Sequence, residues 1–338
     1  MTSPFIEAGG LLILPRLQVQ NANAISGPLT WGFPAPTAFT GFAHALDRRL
    51  TGCFSDASGE LREGFGGVGI VCHGFQPQTT QTAGRRTQVF GLTRNPFNAG
   101  WKKFEDKPAA LVEEGRCHLE VTLIVIVKDS FGEYDGGEFA RAAHRVAQGM
   151  RLAGGSVLPS RYGARYEAWW QVLPDDLDGQ NDRFRKLRRR LLPGYALVQR
   201  EDLLAERLAE MRAHKPGATA LDALLDLSRL NIEPVGADPA APQETLWQVR
   251  KRPGWLVPLP IGYAGISPVY PPGAVDNARD GSTPFRFVES LYSLGEWMGP
   301  HRLTHLPQLF WHTDADTENG LYRCVNAYAD FTNAIGSR

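Results

Sequence analysis

Hydrophobic and polar positions in the first half of the chain follow two different periods. Strand-sized apolar runs alternate with stretches of helical spacing, in which apolar residues recur three or four positions apart. The predicted order is strand, helix, strand, strand, helix, strand, over residues 11–17, 35–50, 67–75, 115–129, 136–152 and 153–159. Ferredoxin-like folds and RNA recognition motifs (RRMs) share this order, so the sequence predicts the α+β class with an RRM-like core over 11–159.

A polar segment interrupts the pattern after the second predicted strand. Residues 76–97 are rich in Thr and Gln, alternate in polarity and contain Gly84 near the middle. Such a segment predicts a long β-hairpin that protrudes from the core, with its turn at the glycine.

The second half of the chain, 160–338, is less regular, and we predict a mixed, partly helical region that packs on the core. Residues 175–194 are charged, and the strongest helical patterns are at 200–215 and 219–230. A Pro- and Ala-rich surface loop is predicted at 234–245, and a proline-rich extended edge segment at 246–270. A final helix is predicted at 284–298.

Composition and charge narrow the class of protein. The chain has 338 residues, of which 43% are hydrophobic and 21% are charged, values typical of a globular protein. Its four cysteines are scattered without CxxC spacing, as expected for free thiols in a reducing compartment. Apolar runs are too short for a signal peptide or a membrane span, so we predict a soluble cytoplasmic protein without a membrane partner.

Motifs for catalysis, metals and cofactors are weak. Residues 64–69 match GxGxxG, but they precede a strand and open no helix, which argues against a dinucleotide site. His301 and His305 have a metal-like spacing, yet the cationic Arg302 follows His301 and favours a structural role for both. The sequence therefore predicts no catalytic residue, no metal site and no cofactor.

Clusters of basic residues are candidates for phosphate contacts, although the net charge of zero argues against a generally basic nucleic-acid binder. The alternatives are a solvated helix face at 183–190 and charge protection of the protruding hairpin. A diglycine after Arg151 permits close approach of a ligand to the backbone, or caps a helix. The candidates are Arg85, Arg86, Arg94, Arg151, Gly154, Gly155, Arg188, Arg189, Arg250 and Arg252.

Long unusual strings give the chain a specific resemblance to a known family. They are LILPRLQVQNANAISGPLTWGFPAPTAFTGFAHAL, RLAGGSVLP, RRLLPGYALV, TALDALLDL, WQVRKRPGWLVPLPIGY and RFVESLYSLGEWMGPHR. From about residue 11 to residue 324 the chain resembles the second Csy subunit of the type I-F CRISPR surveillance complex (Cascade), a Cas-five-class member of the RAMP superfamily. The tail at 325–338 offers nothing to match and carries no expectation.

This resemblance implies a non-catalytic role in antiviral defence. Members of the family have an RRM-like core with a thumb hairpin and form a heterodimer with the large Csy subunit. The pair holds the 5′ handle of the CRISPR RNA and closes the end of a filament of backbone Csy subunits. Target double-stranded DNA beside the flanking motif is a further expected partner.

The resemblance also gives a role to residues 20–34, QNANAISGPLTWGFP, which carry no charge. We expect this loop to contact the handle, because amides and hydroxyls can read base edges and indoles can stack on bases. Turn chemistry is the alternative for the asparagines. The expected contacts are Asn21, Asn23, Ser26 and Trp31.

Two alternative functions stay open. A metal-independent endoribonuclease that processes precursor CRISPR RNA would need a base such as His44 or His118. The apolar surroundings of His44 in the sequence favour a partly buried structural histidine instead. A pure protein scaffold would make no RNA contact at all.

Overall fold

The computed structural model describes residues 8–51, 63–85, 87–94, 111–238 and 241–331. The chain forms two compact units, Met1–Leu173 and Pro174–Arg338. Each unit combines α-helices with an antiparallel sheet, which agrees with the predicted mixture of helices and strands. Among the described residues, no helix is both long enough and apolar enough to span a membrane.

The first unit is built from short hairpins attached to three long strands. Its helices are α1 (Pro36–Thr51) and α2 (Glu133–Gln148). Its strands are β1 (Gly10–Asn23), β2 (Ile25–Gly27), β3 (Thr30–Trp31), β4 (Phe65–Pro77), β5 (Thr79–Gln81), β6 (Gln88–Phe90), β7 (Leu92–Arg94), β8 (Leu111–Glu113), β9 (Arg116–Val127), β10 (Arg151–Leu152), β11 (Gly155–Leu158) and β12 (Trp169–Val172).

The main sheet of the first unit has the order β10-β11-β1-β9-β4, and β12 pairs with the opposite end of β1. All of these pairs are antiparallel. The predicted order of strand, helix, strand, strand, helix, strand is present in β1, α1, β4, β9, α2 and β11. The central strand β9 forms because its near-continuous run of β-branched and Leu residues is buried.

Cross-strand register gives this sheet an apolar face and a polar face, because directly opposite residues point to the same side. On the apolar face Val19 lies opposite Val157 and Leu119. Helix α1 covers this side, since its buried Phe39 stacks on Phe33, whose ring contacts that of Phe75. The polar face carries Gln18, Gln20, Gln76, His118, Glu120 and Ser156.

Two first-unit predictions were wrong in detail. Residues 20–34 are not one loop, because β1 continues to Asn23 through a bulge at which Asn21 has a φ of 58°. Helix α2 ends at Gln148 rather than at 152, and Arg151 instead belongs to β10. The glycines at 154 and 155 therefore cap no helix: Ala153 and Gly154 have φ of 49° and 76° and form the two-residue turn of the β10–β11 hairpin.

The second unit contains a five-stranded antiparallel sheet with the order β13-β17-β16-β19-β18 and a separate hairpin. Its helices are α3 (Leu177–Arg190), α4 (Glu201–His214) and α5 (Ala220–Ser228). Its strands are β13 (Tyr195–Gln199), β14 (Ile232–Asp238), β15 (Ala241–Val249), β16 (Leu256–Gly265), β17 (Val288–Met298), β18 (Phe310–Asp316) and β19 (Leu321–Asn326).

Helices α4 and α5 confirm the predictions at 200–215 and 219–230. Thr219 caps α5 in a capping box, in which its hydroxyl accepts from the Asp222 backbone N–H and the Asp222 carboxylate accepts from the Thr219 N–H. The core of this unit includes Trp311, which is fully buried and whose indole Nε1 donates to the Leu197 carbonyl oxygen at 2.8 Å.

Three second-unit predictions were wrong. The helix predicted at 284–298 is strand β17, which pairs with β13 and β16, so hydrogen bonds on both sides override its helical spacing. The loop predicted at 234–245 falls within the β14–β15 hairpin. The segment 246–270 contains the end of β15 and all of β16, so it is largely extended as predicted, but β16 is not an edge, because it lies between β17 and β19. Pro258 and Pro260 are tolerated before Gly262, where pairing with β19 begins.

Candidate functional site

A pocket of about 370 Å³ lies at one end of the first unit's sheet. Strands β1 and β4 end here, and β9 begins here. The size falls in the range of small-ligand pockets, and every side chain in the lining is polar or charged. The lining residues are Gln20, Asn21, Gln78, Arg116, Arg151, Gly154 and Ser156.

The β10–β11 turn forms one wall of the pocket. The Asn23 backbone N–H donates to the Ala153 carbonyl oxygen at 2.8 Å, which ties the turn to the end of β1. A Cβ on Gly154 would meet no atom within 4 Å, so this position is open to a ligand. A Cβ on Gly155 would lie 2.6 Å from the Ala22 nitrogen, so Gly155 is needed for close packing of β11 on β1.

Asn21 is held in the pocket by contacts with Gln78, between β4 and β5, and with His118 of β9. Its Oδ1 accepts from Gln78 Nε2 at 2.6 Å, and its backbone N–H points to His118 Nδ1 at 3.4 Å. The Nε2 atoms of Gln78 and His118 lie 3.1 Å apart. These contacts fix two amide groups at the mouth of a polar pocket, where they can present donors and acceptors to a ligand.

Two arginines supply positive charge to the pocket. Arg116 Nη2 lies 3.1 Å from Glu114 Oε2, so its charge is partly balanced. The Arg151 backbone pairs with Ser156, but its exposed guanidinium has no hydrogen-bond or ion-pair partner within the part of the chain that the structure describes. Arg151 is therefore the pocket's best placed group for an anionic ligand such as a phosphate.

The other predicted residues near the end of β1 have local roles. Asn23 Oδ1 accepts from the Ile25 N–H and its Nδ2 donates to the Ile25 carbonyl oxygen, which is the turn chemistry left open as an alternative. Ser26 Oγ accepts from the Ala35 N–H at 3.1 Å. Trp31 is 65% exposed, and its ring meets that of Phe90 edge to face with the centroids 5.6 Å apart.

The arginines of the predicted protrusion are only partly described. Strands β5 and β6 pair around Gly84, and Arg85 is exposed beside this turn. Arg86 lies outside the described residues. Arg94 is the last residue of β7, and its backbone alone is described.

Four predicted arginines lie in the second unit, and most of them have protein partners. Arg188 donates to the Leu303 carbonyl oxygen, while Arg189 is exposed at the end of α3. Arg250 is paired with Asp226, and Arg252 Nη1 donates weakly to the Ser228 carbonyl oxygen at 3.4 Å. Of all predicted site residues, the pocket brings together Asn21, Arg151 and Gly154.

Residues 12–324 match the family described as CRISPR-associated protein (Cas_Csy2). The chain belongs to the Csy2 family of CRISPR-associated proteins. It is 51% identical over 320 residues to the CRISPR-associated protein Csy2 of Pseudomonas aeruginosa (strain UCBPP-PA14), over 93% of this chain and 94% of the relative. The resemblance found in the sequence is thus confirmed, and the chain is a Csy subunit of type I-F CRISPR antiviral defence that associates with other Csy subunits.

Four pocket residues of this Csy2-family chain were missed by the sequence predictions: Gln20, Gln78, Arg116 and Ser156. Gln20 and Ser156 are directly opposite each other across β1 and β11. The sequence shows that these residues are polar and lie near predicted strand ends, but such residues are common. Whether they converge depends on the register of the strands.

A second polar cluster lies beside the pocket on the same face. Glu120 is buried and receives hydrogen bonds from Arg16 Nη1 at 2.7 Å, Arg161 Nη2 at 3.0 Å and the Tyr162 hydroxyl at 3.2 Å. Burial raises the pKa of the Glu120 carboxyl, but hydrogen bonds from Arg16, Gln18 and Tyr162 outweigh it and hold the pKa below its ordinary value. The carboxylate therefore stays ionised and anchors both guanidinium groups.

The histidines considered as catalytic or metal-binding groups are dispersed. His44 is exposed on α1, so the expectation of partial burial was wrong: the apolar residues of α1 face the sheet, and His44 lies on the other side. His118 contacts Asn21 and Gln78 on the polar face. Over the described residues, no three His, Cys, Asp or Glu side chains are grouped so as to hold a metal ion.

Proposed function

We propose that this chain is a non-catalytic, RNA-binding subunit of the type I-F Csy complex and that it holds the 5′ handle of the CRISPR RNA. The observation that carries the proposal is the polar pocket, where Asn21 of β1, Gln78 between β4 and β5, and Arg151 of β10 converge. Amides suit the edges of unpaired bases, and an unpartnered guanidinium suits a phosphate.

The order of strands supports an RRM-like, ferredoxin-like core in the first unit. The strands β11, β1, β9 and β4 are adjacent in that order, and helices connect β1 to β4 and β9 to β11. RRMs bind single-stranded RNA on the face of a four-stranded sheet, and the polar face is the corresponding side. The β5–β6 hairpin, with Arg85 at its turn, is our candidate for the thumb.

We infer that the large Csy subunit is the heterodimer partner and that the pair closes the end of the filament of backbone Csy subunits. Large apolar side chains on the β14–β15 hairpin support burial against protein neighbours, because Trp247 is 60% exposed and Val235 is 53% exposed. Target double-stranded DNA next to the flanking motif is the remaining proposed partner, and the exposed Arg189 and Arg252 are candidates for contact with nucleic acid.

The test is a binding measurement on the co-expressed heterodimer of this chain with the large Csy subunit. Fluorescence anisotropy at physiological salt should show tighter binding of the 5′ handle than of a scrambled RNA of equal length. Equal affinity for the two RNAs would refute handle recognition. Charge reversal by Arg85→Glu tests the thumb alone, and unchanged RNA retention would favour a scaffold role for that hairpin.

The alternative function, a metal-independent endoribonuclease, is tested separately. His118 supports it to the extent that its ring contacts Gln78, a pocket-lining residue. Incubation of the purified chain with a CRISPR repeat RNA in EDTA should leave the RNA intact under our proposal. If the chain cleaves the RNA specifically and His118→Ala or His44→Ala abolishes the cleavage, the function is catalysis rather than binding.

A further inference from the structure

We infer that Arg161 and Tyr162 form a stacking platform for one unpaired base of the RNA, next to the nucleotide that enters the pocket. The inference rests on the proposed RNA-binding function and adds a site that lies outside the pocket. Its basis is the geometry of the cluster around Glu120.

The Arg161 guanidinium is held in a fixed orientation. Its Nη2 donates to Glu120 Oε2 at 3.0 Å and to the Tyr162 hydroxyl at 2.8 Å. Its Cζ lies 4.9 Å from the centroid of the Tyr162 ring. The side chain is nevertheless 63% exposed, so a plane fixed by three contacts presents surface to solvent. Bases stack on arginine planes of this kind as well as on aromatic rings.

A second layer supports this platform from beneath. The Tyr162 and Tyr166 rings meet edge to face with centroids 5.0 Å apart. The Arg16 and Arg165 guanidiniums each lie 5.5 Å from the centroid of the Tyr166 ring. The result is a compact group of cations and perpendicular aromatic rings, which attracts the π face of a base and the phosphate attached to it.

Backbone strain points to a role beyond stability. Arg16 has a φ of 50°, which is rare for a residue with a side chain, and its N–H donates to Thr122 Oγ1 at 3.1 Å within a β-bulge. The bulge allows the Arg16 guanidinium to reach Glu120 and Tyr166. Arg16 already pairs with Glu120 through Oε1. The second ion pair, between Oε2 and the exposed Arg161, therefore adds little to stability.

The platform lies one step along the sheet from the pocket. Gln20, in the pocket lining, and Gln18 are two residues apart on β1, and Gln18 lies directly opposite Glu120. Two residues of a strand span roughly 7 Å. A single RNA strand that leaves the pocket along the polar face would therefore place its next base at Arg161.

The experiment uses the heterodimer with the large Csy subunit and handle RNAs that carry 2-aminopurine at one position at a time. Binding should quench the fluorescence of one position through stacking on the platform. Arg161→Ala should restore that fluorescence and weaken handle binding about tenfold. Arg161→Lys keeps the charge but lacks the plane, so it should also lose the quench.

Arg141→Ala is the matched control, because Arg141 is an exposed arginine of α2 that pairs with a carboxylate, Glu138. It should bind and quench like the unmodified chain. Thermal midpoints of all variants are compared first, and Tyr162→Phe, which keeps the ring and removes only the hydroxyl, provides a milder variant should Arg161→Ala be unstable.

The outcomes separate this inference from the proposed function. Handle binding above scrambled RNA without an Arg161-dependent quench at any position overturns the platform and leaves the function standing. A full quench in Arg161→Lys shows a charge effect and overturns stacking. If the Arg161→Ala variant no longer binds the large Csy subunit but the quench is unchanged, Arg161 contacts protein rather than RNA. That outcome also overturns the platform. Equal binding of handle and scrambled RNA overturns both.

Discussion

Arg250 Nη2 lies 2.6 Å from Oδ2 of the buried Asp226 in the second unit. The same oxygen receives Arg207 Nε at 2.8 Å. An arginine that the sequence assigns to RNA is thus committed to an internal ion pair that joins the end of β15 to helix α5. The positive charge of Arg250 is therefore largely neutralised within the protein.

The first prediction concerns this ion-pair cluster. Asp226→Asn should lower the free energy of unfolding by about 1–3 kcal/mol, because Arg207 and Arg250 lose the buried carboxylate that they share. Within the described part of the chain they keep only the more exposed carboxylates of Glu210 and Glu233. Chemical denaturation measures the change. The control is Asp182→Asn, which breaks an exposed pair between Asp182 and Arg185 on α3 and should cost less than about 0.5 kcal/mol. Equal costs for the two variants would contradict the structural role of Asp226.

The second prediction concerns the pH dependence that Glu120 confers. The pKa of its carboxyl is lower in the folded chain than in the unfolded chain, so the unfolded state binds the proton more tightly. The contribution of Glu120 to stability is therefore complete above its ordinary pKa of 4.5 and is lost as the pH falls through the lower, folded value.

Urea unfolding of the unmodified chain and of Glu120→Gln between pH 6 and pH 3 isolates this contribution. The variant should be roughly 1.5–3 kcal/mol less stable at pH 6, since Arg16 loses its charged partner. The gap should close towards pH 3. A stability difference that stays constant over this pH range would show that the surroundings do not lower the pKa of Glu120.

The third prediction concerns the packing of Gly155. In Gly155→Ala the new Cβ would lie 2.6 Å from the Ala22 nitrogen and 2.7 Å from the Gln20 carbonyl oxygen, so the hairpin must move away from β1. We expect a loss of roughly 1–3 kcal/mol in the free energy of unfolding. Gly41→Ala serves as the comparison, because Gly41 lies in α1 with no atom near its Cβ position and should gain about 0.5–1 kcal/mol. A neutral Gly155→Ala would mean that β11 does not approach β1 this closely.

The fourth prediction concerns the anion-binding role of Arg151. Arg151→Ala in the heterodimer should weaken binding of handle RNA, and the slope of log affinity against log salt should fall by about one unit, as for the loss of one phosphate contact. Arg145→Ala removes a similarly exposed arginine from α2 and should leave both quantities unchanged. An unaltered salt slope in Arg151→Ala would place the phosphate elsewhere.

Local signals explain which parts of the fold could be predicted. Helix α5 carries its own capping box at Thr219 and Asp222, and β9 is a long buried run, so neither depends on distant residues for its identity. Strand β17 could not be recognised, because its helical spacing is overridden by hydrogen bonds to β13 and β16. Strand β13 begins nearly a hundred residues before β17, and β16 begins about thirty residues before it.

The same contrast holds for the candidate site. Arg151 and Gly154 were found because a basic residue next to a diglycine is visible in the sequence. Asn21 was chosen for its amide, yet its position depends on a bulge and on Gln78, 57 residues away. Arg250 was assigned to RNA because composition does not reveal that Asp226, 24 residues earlier, lies beside it.

The turn at Ala153 and Gly154 makes part of the pocket wall out of main chain, tied to β1 through the Asn23 N–H. Alanine scanning cannot remove such a wall, since every substitution keeps the peptide groups in place. Scans of this family will therefore understate what the hairpin contributes, and insertion of a residue into the turn, or an ester in place of one of its amides, is the perturbation that would expose it.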